Sequence, residues 1–244
     1  MKCLGLVGDL NSEATVLYLR RFDDEVSGRF GAAQLPRLIF HRSSGVSFAT
    51  AMQGKDWAHV NRLAMLAAKQ CVAAGAEAVL LGSSTLHVAR DAVAGAVGVP
   101  VLDMVDDAVE VIARTGIRQV GLLGTRFGNE QRMWQDRCAD RGLLAVVPIP
   151  ESIDRVSKII RDELSQGQVR IDSKKELLRV CADFRKAGSR VIVVAAPELN
   201  LILRESESAL PLLDAMAAQV AGAVTWATSL TVPDLPTEAG TSAL

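Results

Sequence analysis

No sign of charge dominates the chain of 244 residues: 27 Lys and Arg stand against 28 Asp and Glu, a formal charge of -1. Neither sign forms a long run, so there is no electrostatic footprint for nucleic acid or an anionic membrane. No apolar stretch approaches the roughly 20 residues that a spanning helix requires. The opening Met-Lys-Cys-Leu-Gly-Leu-Val-Gly lacks the length and cleavage pattern of a signal peptide. The expectation is a cytoplasmic globular protein that meets neither nucleic acid nor membrane. The four cysteines, Cys3, Cys71, Cys138 and Cys181, are too widely spaced for a zinc knuckle or a CxxC pair and too few for a disulfide framework, so buried thiols are expected. Gly5 and Gly8 followed by Asp9 form neither GxGxxG nor a Walker sequence; no nucleotide cofactor and no metal is implied.

What the chain has is apolar sequence, 49% of its residues, ample for one buried core or for two half-sized cores sharing a cleft. Short β-rich runs alternate with longer amphipathic ones. Cys3 to Val7, Leu38 to His41, Ala78 to Leu81, Val101 to Met104, Val120 to Leu123, Ala145 to Val147, Val191 to Val194 and Pro211 to Leu213 read as strands, with helical spacing between them. Near-continuous apolar strands separated by helices predict an α/β chain whose parallel sheets are covered on both faces.

The pattern also repeats. Ala74-Gly75-Ala76-Glu77-Ala78-Val79-Leu80-Leu81 matches Ala187-Gly188-Ser189-Arg190-Val191-Ile192-Val193-Val194, and Val99-Pro100-Val101-Leu102-Asp103-Met104 matches Leu210-Pro211-Leu212-Leu213-Asp214-Ala215. Two pseudo-symmetric half-domains are implied, over residues 1–115 and 116–214. A helix near 215–228 is expected to return to the first half, with a loose or partner-docked tail over 229–244. Ligands of parallel sheets bind at the carboxyl ends of the strands. That places the site between the halves, at Gly82 to Thr85 and Ala195 to Glu198.

Several segments carry a family likeness. Leu123-Gly124-Thr125-Arg126-Phe127 followed by Glu130-Gln131, the run Ile159-Ile160-Arg161-Asp162-Glu163-Leu164 with Gly167, and the opening Leu4-Gly5-Leu6-Val7-Gly8-Asp9-Leu10-Asn11-Ser12-Glu13-Ala14-Thr15 resemble blocks of the cofactor-independent aspartate/glutamate racemases. The resemblance implies two thiols on opposite faces of a substrate α-carbon, one removing the proton and the other returning it, no cofactor, and commonly a homodimer. Gly82 and Ala196 occupy the positions where that family carries its cysteines. The family's Gly-Cys-Thr-Glu reads Ala195-Ala196-Pro197-Glu198, and its Thr-Asn-Thr reads Ser83-Ser84-Thr85. Asp9 replaces a glycine, while Asp103 and Gln219 stand where the family has histidines.

Glycine and alanine cannot exchange protons, and Pro197 removes a backbone donor. The hydroxyls of Ser83, Ser84 and Thr85, with strand-end N-H groups, retain the means to bind a carboxylate. Candidate bases are Asp9 and Glu198. Candidate ligand contacts are Asn11, Ser83, Ser84, Thr85 and Thr125, with Arg42 and Arg126 as further sources of charge. Each has a plainer alternative: turn and cap bonding for the hydroxyls and Asp9, an N-terminal carboxylate on a helix dipole for Glu198, an ion pair for Arg126. His87 reads as a hydrogen-bonded structural histidine rather than a catalytic one. Two functions stay open, an altered isomerase or lyase acting on a small amino or carboxylic acid, and an inactive relative that binds such a ligand as a regulatory or partner protein.

Overall fold

The computed structural model describes residues 1–8, 11–31, 34–42 and 45–229. Two four-stranded, wholly parallel sheets stand side by side. The first contains β1 (Leu4–Val7), β2 (Leu38–His41), β3 (Ala78–Leu81) and β4 (Val101–Leu102) in the order β2-β1-β3-β4. The second contains β5 (Gln119–Leu123), β6 (Leu144–Val146), β7 (Val191–Val194) and β8 (Leu212–Asp214) in the order β6-β5-β7-β8. The orders are equivalent position by position, so the sequence repeat is a repeat of topology, with β3 and β7 as counterparts.

Side chains alternate along each strand and divide between two environments. Leu4, Leu6, Ala78, Leu80, Val120, Leu122, Val191 and Val193 point into one apolar core shared by both sheets. That core is filled by α1 (Ser12–Phe30), α5 (Met104–Ala113), α7 (Met133–Asp140) and α10 (Ala215–Thr228). The alternate residues face outward: Val79 and Leu81 against α3 (Trp57–Ala73) and α4 (Arg90–Ala96), Ile192 and Val194 against α8 (Pro150–Asp162) and α9 (Ile171–Lys186). α10 packs on α1 and α5, so the end of the described chain is built into the first half. Two short helices complete the set, α2 (Gly45–Gln53) and α6 (Arg126–Glu130).

Matching glycines let the outer helices approach. A Cβ on Gly5 in β1 would lie 2.7 Å from the Cys71 Cβ of α3, and one on Gly121 in β5 would lie 2.6 Å from the Phe184 ring of α9. Contacts that close are not sustained in a packed interior. The two halves also clasp through charge, as Arg137 pairs with Asp106 and Arg141 with Glu110, joining the α7 segment to α5.

The expected strands are all present. β4 ends at Leu102 instead of Met104 because Asp103 turns the chain: its carboxylate accepts from the N-H groups of Val105 and Asp106 and starts α5. All four cysteines are buried and free, and burial pushes the Cys138 and Cys181 thiols up to about 11. All four are packing groups.

Candidate functional site

Four strand ends converge between the halves. After β1, Asn11 caps α1 by accepting from the Ala14 N-H at 2.9 Å, and after β5, Thr125 caps α6 by accepting from the Gly128 N-H at 3.2 Å. After β3 and β7 the chain enters matching 3-10 turns, Ser84–Ala89 and Pro197–Leu201. These segments enclose a cavity of about 560 Å³. Asn11 and Ser83 to Thr85 line it from the first half, Thr125 and Ala196 to Glu198 from the second. Six of the seven residues singled out in the sequence thus share one cavity. The seventh, Asp9, lies outside the described residues.

Glu198 is the most unusual group there. Its side chain is buried and its Oε1 accepts a hydrogen bond from the Asn11 Nδ2 at 2.6 Å. Burial pushes its carboxyl above the usual range, opposed less strongly by its own backbone N-H and by the Asn11 amide, both of which favour the carboxylate. A carboxyl so placed can donate or accept a proton inside the cavity. Ser83 is buried and its Oγ accepts from the Thr85 N-H at 3.1 Å, so this hydroxyl both shapes the turn and lines the cavity. Among the described residues, the hydroxyls of Ser84, Thr85 and Ser165 have no protein hydrogen-bond partner, and all three residues line the cavity. None of the four cysteines lines it.

The rest of the wall was not legible beforehand. It includes Met52 and Gln53 at the end of α2, Phe127 and Glu130 of α6, and Ser157, Ile160 and Arg161 of α8. The Phe127 ring meets Trp57 of α3 with centroids 5.1 Å apart, an apolar bridge between the halves. The only available signal for the α8 wall was the run Ile159 to Leu164, whose likeness to a family helix says nothing of which face meets the cleft.

Several other polar residues turn out to be structural. The His87 Nε2 accepts from the Met104 N-H at 3.0 Å, which fixes the ring proton on Nδ1, where it bonds the Ser83 carbonyl at 2.8 Å. Both nitrogens are used, and the ring holds the Ser83 turn against the start of α5. Asp103 does not line the cleft: it caps α5 and pairs with Arg90 at 3.3 Å. Gln219 is fully buried, accepting from the Tyr18 hydroxyl at 2.7 Å and donating to the Leu102 carbonyl at 3.0 Å. It ties α10 to α1 and the first sheet. Arg42 is exposed and donates to the Ser12 hydroxyl. Arg126 does reach the cavity, already paired with Asp154 and, at 3.2 Å, with Glu130. No group of His, Cys, Asp and Glu among the described residues is arranged to hold a metal ion, and none of the described helices is long and apolar enough to cross a membrane.

The profile of the Asp/Glu/Hydantoin racemase family matches residues 7–223. The chain belongs to that family. An Asp/Glu racemase candidate from Yersinia pestis superposes with a TM-score of 0.86 at 27% identity, over 94% of this chain and 100% of that one. An aspartate racemase homologue from Pyrococcus horikoshii OT3 gives 0.82 at 25% identity, with the same coverage. The fold extends to the Francisella tularensis glutamate racemase in complex with D-glutamate, at a TM-score of 0.63 and 13% identity over 92% of this chain and 80% of that one. Paired parallel half-domains are therefore the family's architecture, and this member builds its interdomain cavity without a thiol.

Proposed function

We propose that the chain binds a small amino or carboxylic acid in the interdomain cavity and moves a proton at one of its carbons without a cofactor, Glu198 being the acid-base group. The observation that carries this reading is the Glu198 carboxyl, buried in the cavity beside Asn11, with its proton affinity raised by burial. A general acid or base works best when its pKa approaches the working pH, and burial moves Glu198 in that direction. Ser84 and Thr85, with the strand-end backbone, take the ligand's carboxylate; the Glu198 side supports the amine or the reacting C-H.

A single base has a stereochemical consequence. Glu198 removes a proton from one face and returns it to that same face, which exchanges hydrogen with retention or promotes loss of a leaving group from the adjacent carbon. Inversion requires a second group on the opposite face, for which Asp9, the other candidate base, is proposed. Ordinary two-thiol racemisation is not expected. The second reading, an inactive relative that binds the same ligand as a regulatory or partner protein, draws support from the lining itself: Ala196 and Pro197 are apolar, and Glu130, the other lining carboxylate among the described residues, is paired with Arg126. The proposed assembly is a homodimer, for which light scattering should give twice the chain mass, with half-domains 1–115 and 116–214.

The deciding experiment incubates the protein with L- and D-amino acids and small dicarboxylates in heavy water and follows the α-hydrogen by NMR. Exchange that disappears in Glu198→Gln supports the acid-base reading. Binding without exchange favours the regulatory one, and absence of binding overturns both.

A further inference from the structure

We infer that the cavity selects a monocarboxylic ligand with a short apolar side chain over a dicarboxylate, and that Asp162 enforces this choice by occupying Arg161. The inference rests on the reading of the cavity as an amino or carboxylic acid site and narrows its ligand class.

A second ligand carboxylate, drawn out of water, needs a cation or several donors facing it. The chain's cations can be followed completely, because the residues outside the described segments include no Lys, Arg or His. Only Arg126 and Arg161 line the cavity. Neither is free. Arg126 pairs with Asp154 and Glu130. Arg161 is held by both oxygens of its neighbour Asp162, its Nε donating at 2.7 Å and its second nitrogen at 3.1 Å. Two cations therefore meet three protein carboxylates. A fourth, brought by aspartate or glutamate, would have to compete with them for these two cations.

The other requirements point the same way. One ligand carboxylate is served without a cation, by the unpartnered hydroxyls of Ser84 and Thr85 at the end of β3. Beyond it the lining includes Met52, Phe127, Ile160 and Pro197, a surface that suits a branched aliphatic group, while Gln53, Ser157 and Ser165 add neutral donors but no further cation. The space of about 560 Å³ admits such a side chain easily.

Isothermal titration of the full chain with the L and D forms of valine, leucine, aspartate and glutamate tests the inference. The expected result is affinity for valine or leucine exceeding that for aspartate and glutamate by roughly tenfold or more, the scale set by a mispaired charge. Asp162→Asn releases Arg161 without touching the apolar wall. It should raise aspartate or glutamate affinity by about tenfold and leave valine and leucine unchanged. Wild-type protein that binds aspartate or glutamate as tightly as valine overturns the inference while leaving the proposed function standing. If Asp162→Asn gains nothing toward the dicarboxylates, the assigned role of Asp162 is wrong. Failure of every ligand to bind overturns the underlying reading as well.

Discussion

Asn11 performs two jobs whose energies can be separated by choice of substitution. Its Oδ1 caps α1 by accepting from the Ala14 N-H, and its Nδ2 donates to Glu198 across the junction of the two halves. Asn11→Ala removes both. Loss of the cap costs about 0.5–2 kcal/mol, and leaving a buried carboxyl short of a donor costs about 1–3 kcal/mol; a combined loss of about 1.5–5 kcal/mol is expected. Asn11→Ser keeps a cap acceptor on a side chain too short to reach Glu198, so it isolates the second contribution. Because the Asn11 amide favours the carboxylate form, either variant should move the Glu198 titration to higher pH. Urea unfolding followed by circular dichroism measures the first effect, and ¹³C NMR titration of the glutamate carboxyls measures the second. An Asn11→Ser protein with the wild-type urea midpoint and an unmoved Glu198 titration would refute the claim that this hydrogen bond positions the carboxyl.

Asp107 makes an independent case, since burial between helices, then the charges of Asp103 and Asp106, push its carboxyl up to about 7 from an ordinary 3.8. The folded state thus holds a proton that the unfolded chain has released, and stability falls as pH rises from about 4 to about 7. That interval sets a ceiling of about 4 kcal/mol, and solvent still reaching the group reduces the expected effect to about 1–2 kcal/mol. Asp107→Asn should be more stable than wild type by that amount in urea melts at pH 8 and equal to it at pH 4; equal stability at both would show the shift to be absent. Installing cysteines at both Gly82 and Ala196 should not create a racemase: Ala196 is buried, burial has already pushed two native thiols to about 11, and Pro197 has no N-H to offer a thiolate. Inversion of any amino acid by that double variant, read by chiral chromatography, would contradict this.

The fold was legible because apolar runs of four or five residues admit few other arrangements once helices separate them. The ends of strands were less so. Asp103 continues an apolar run in sequence but is more useful as a helix cap, and this shortened β4 to two residues. In the site, the loop after β3 stood out because small polar residues follow an apolar strand directly, and the loop after β7 because it ends the matching run of the sequence repeat. The α8 wall did not: a helix surface that faces a cleft has the same mixture of Ser, Arg and Asp as one that faces water. Nor does sequence show that Arg126 is paired with Asp154, a residue on α8, or that His87 reaches the start of α5. Such partners meet only after the sheets have formed.

With Gly82 and Ala196 at the positions where the resemblance implies thiols, the proposed site still has a means of moving a proton. A two-thiol racemase must hold two weak acids in opposite protonation states, which demands donors and charges close to each sulfur. A single carboxyl demands less: burial raises its proton affinity, and one amide, from Asn11, limits the rise. The substitutions around Ala196 fit the lesser demand. Proline at 197 takes away a donor that a thiolate needs and Glu198 does not, since Glu198 receives its hydrogen bonds from its own N-H and from the other half of the molecule. Asp103 and Gln219, which the resemblance puts where the family carries histidines, hold backbone groups in place. The proposed site therefore works with one base, Glu198, where the family resemblance implies two thiols.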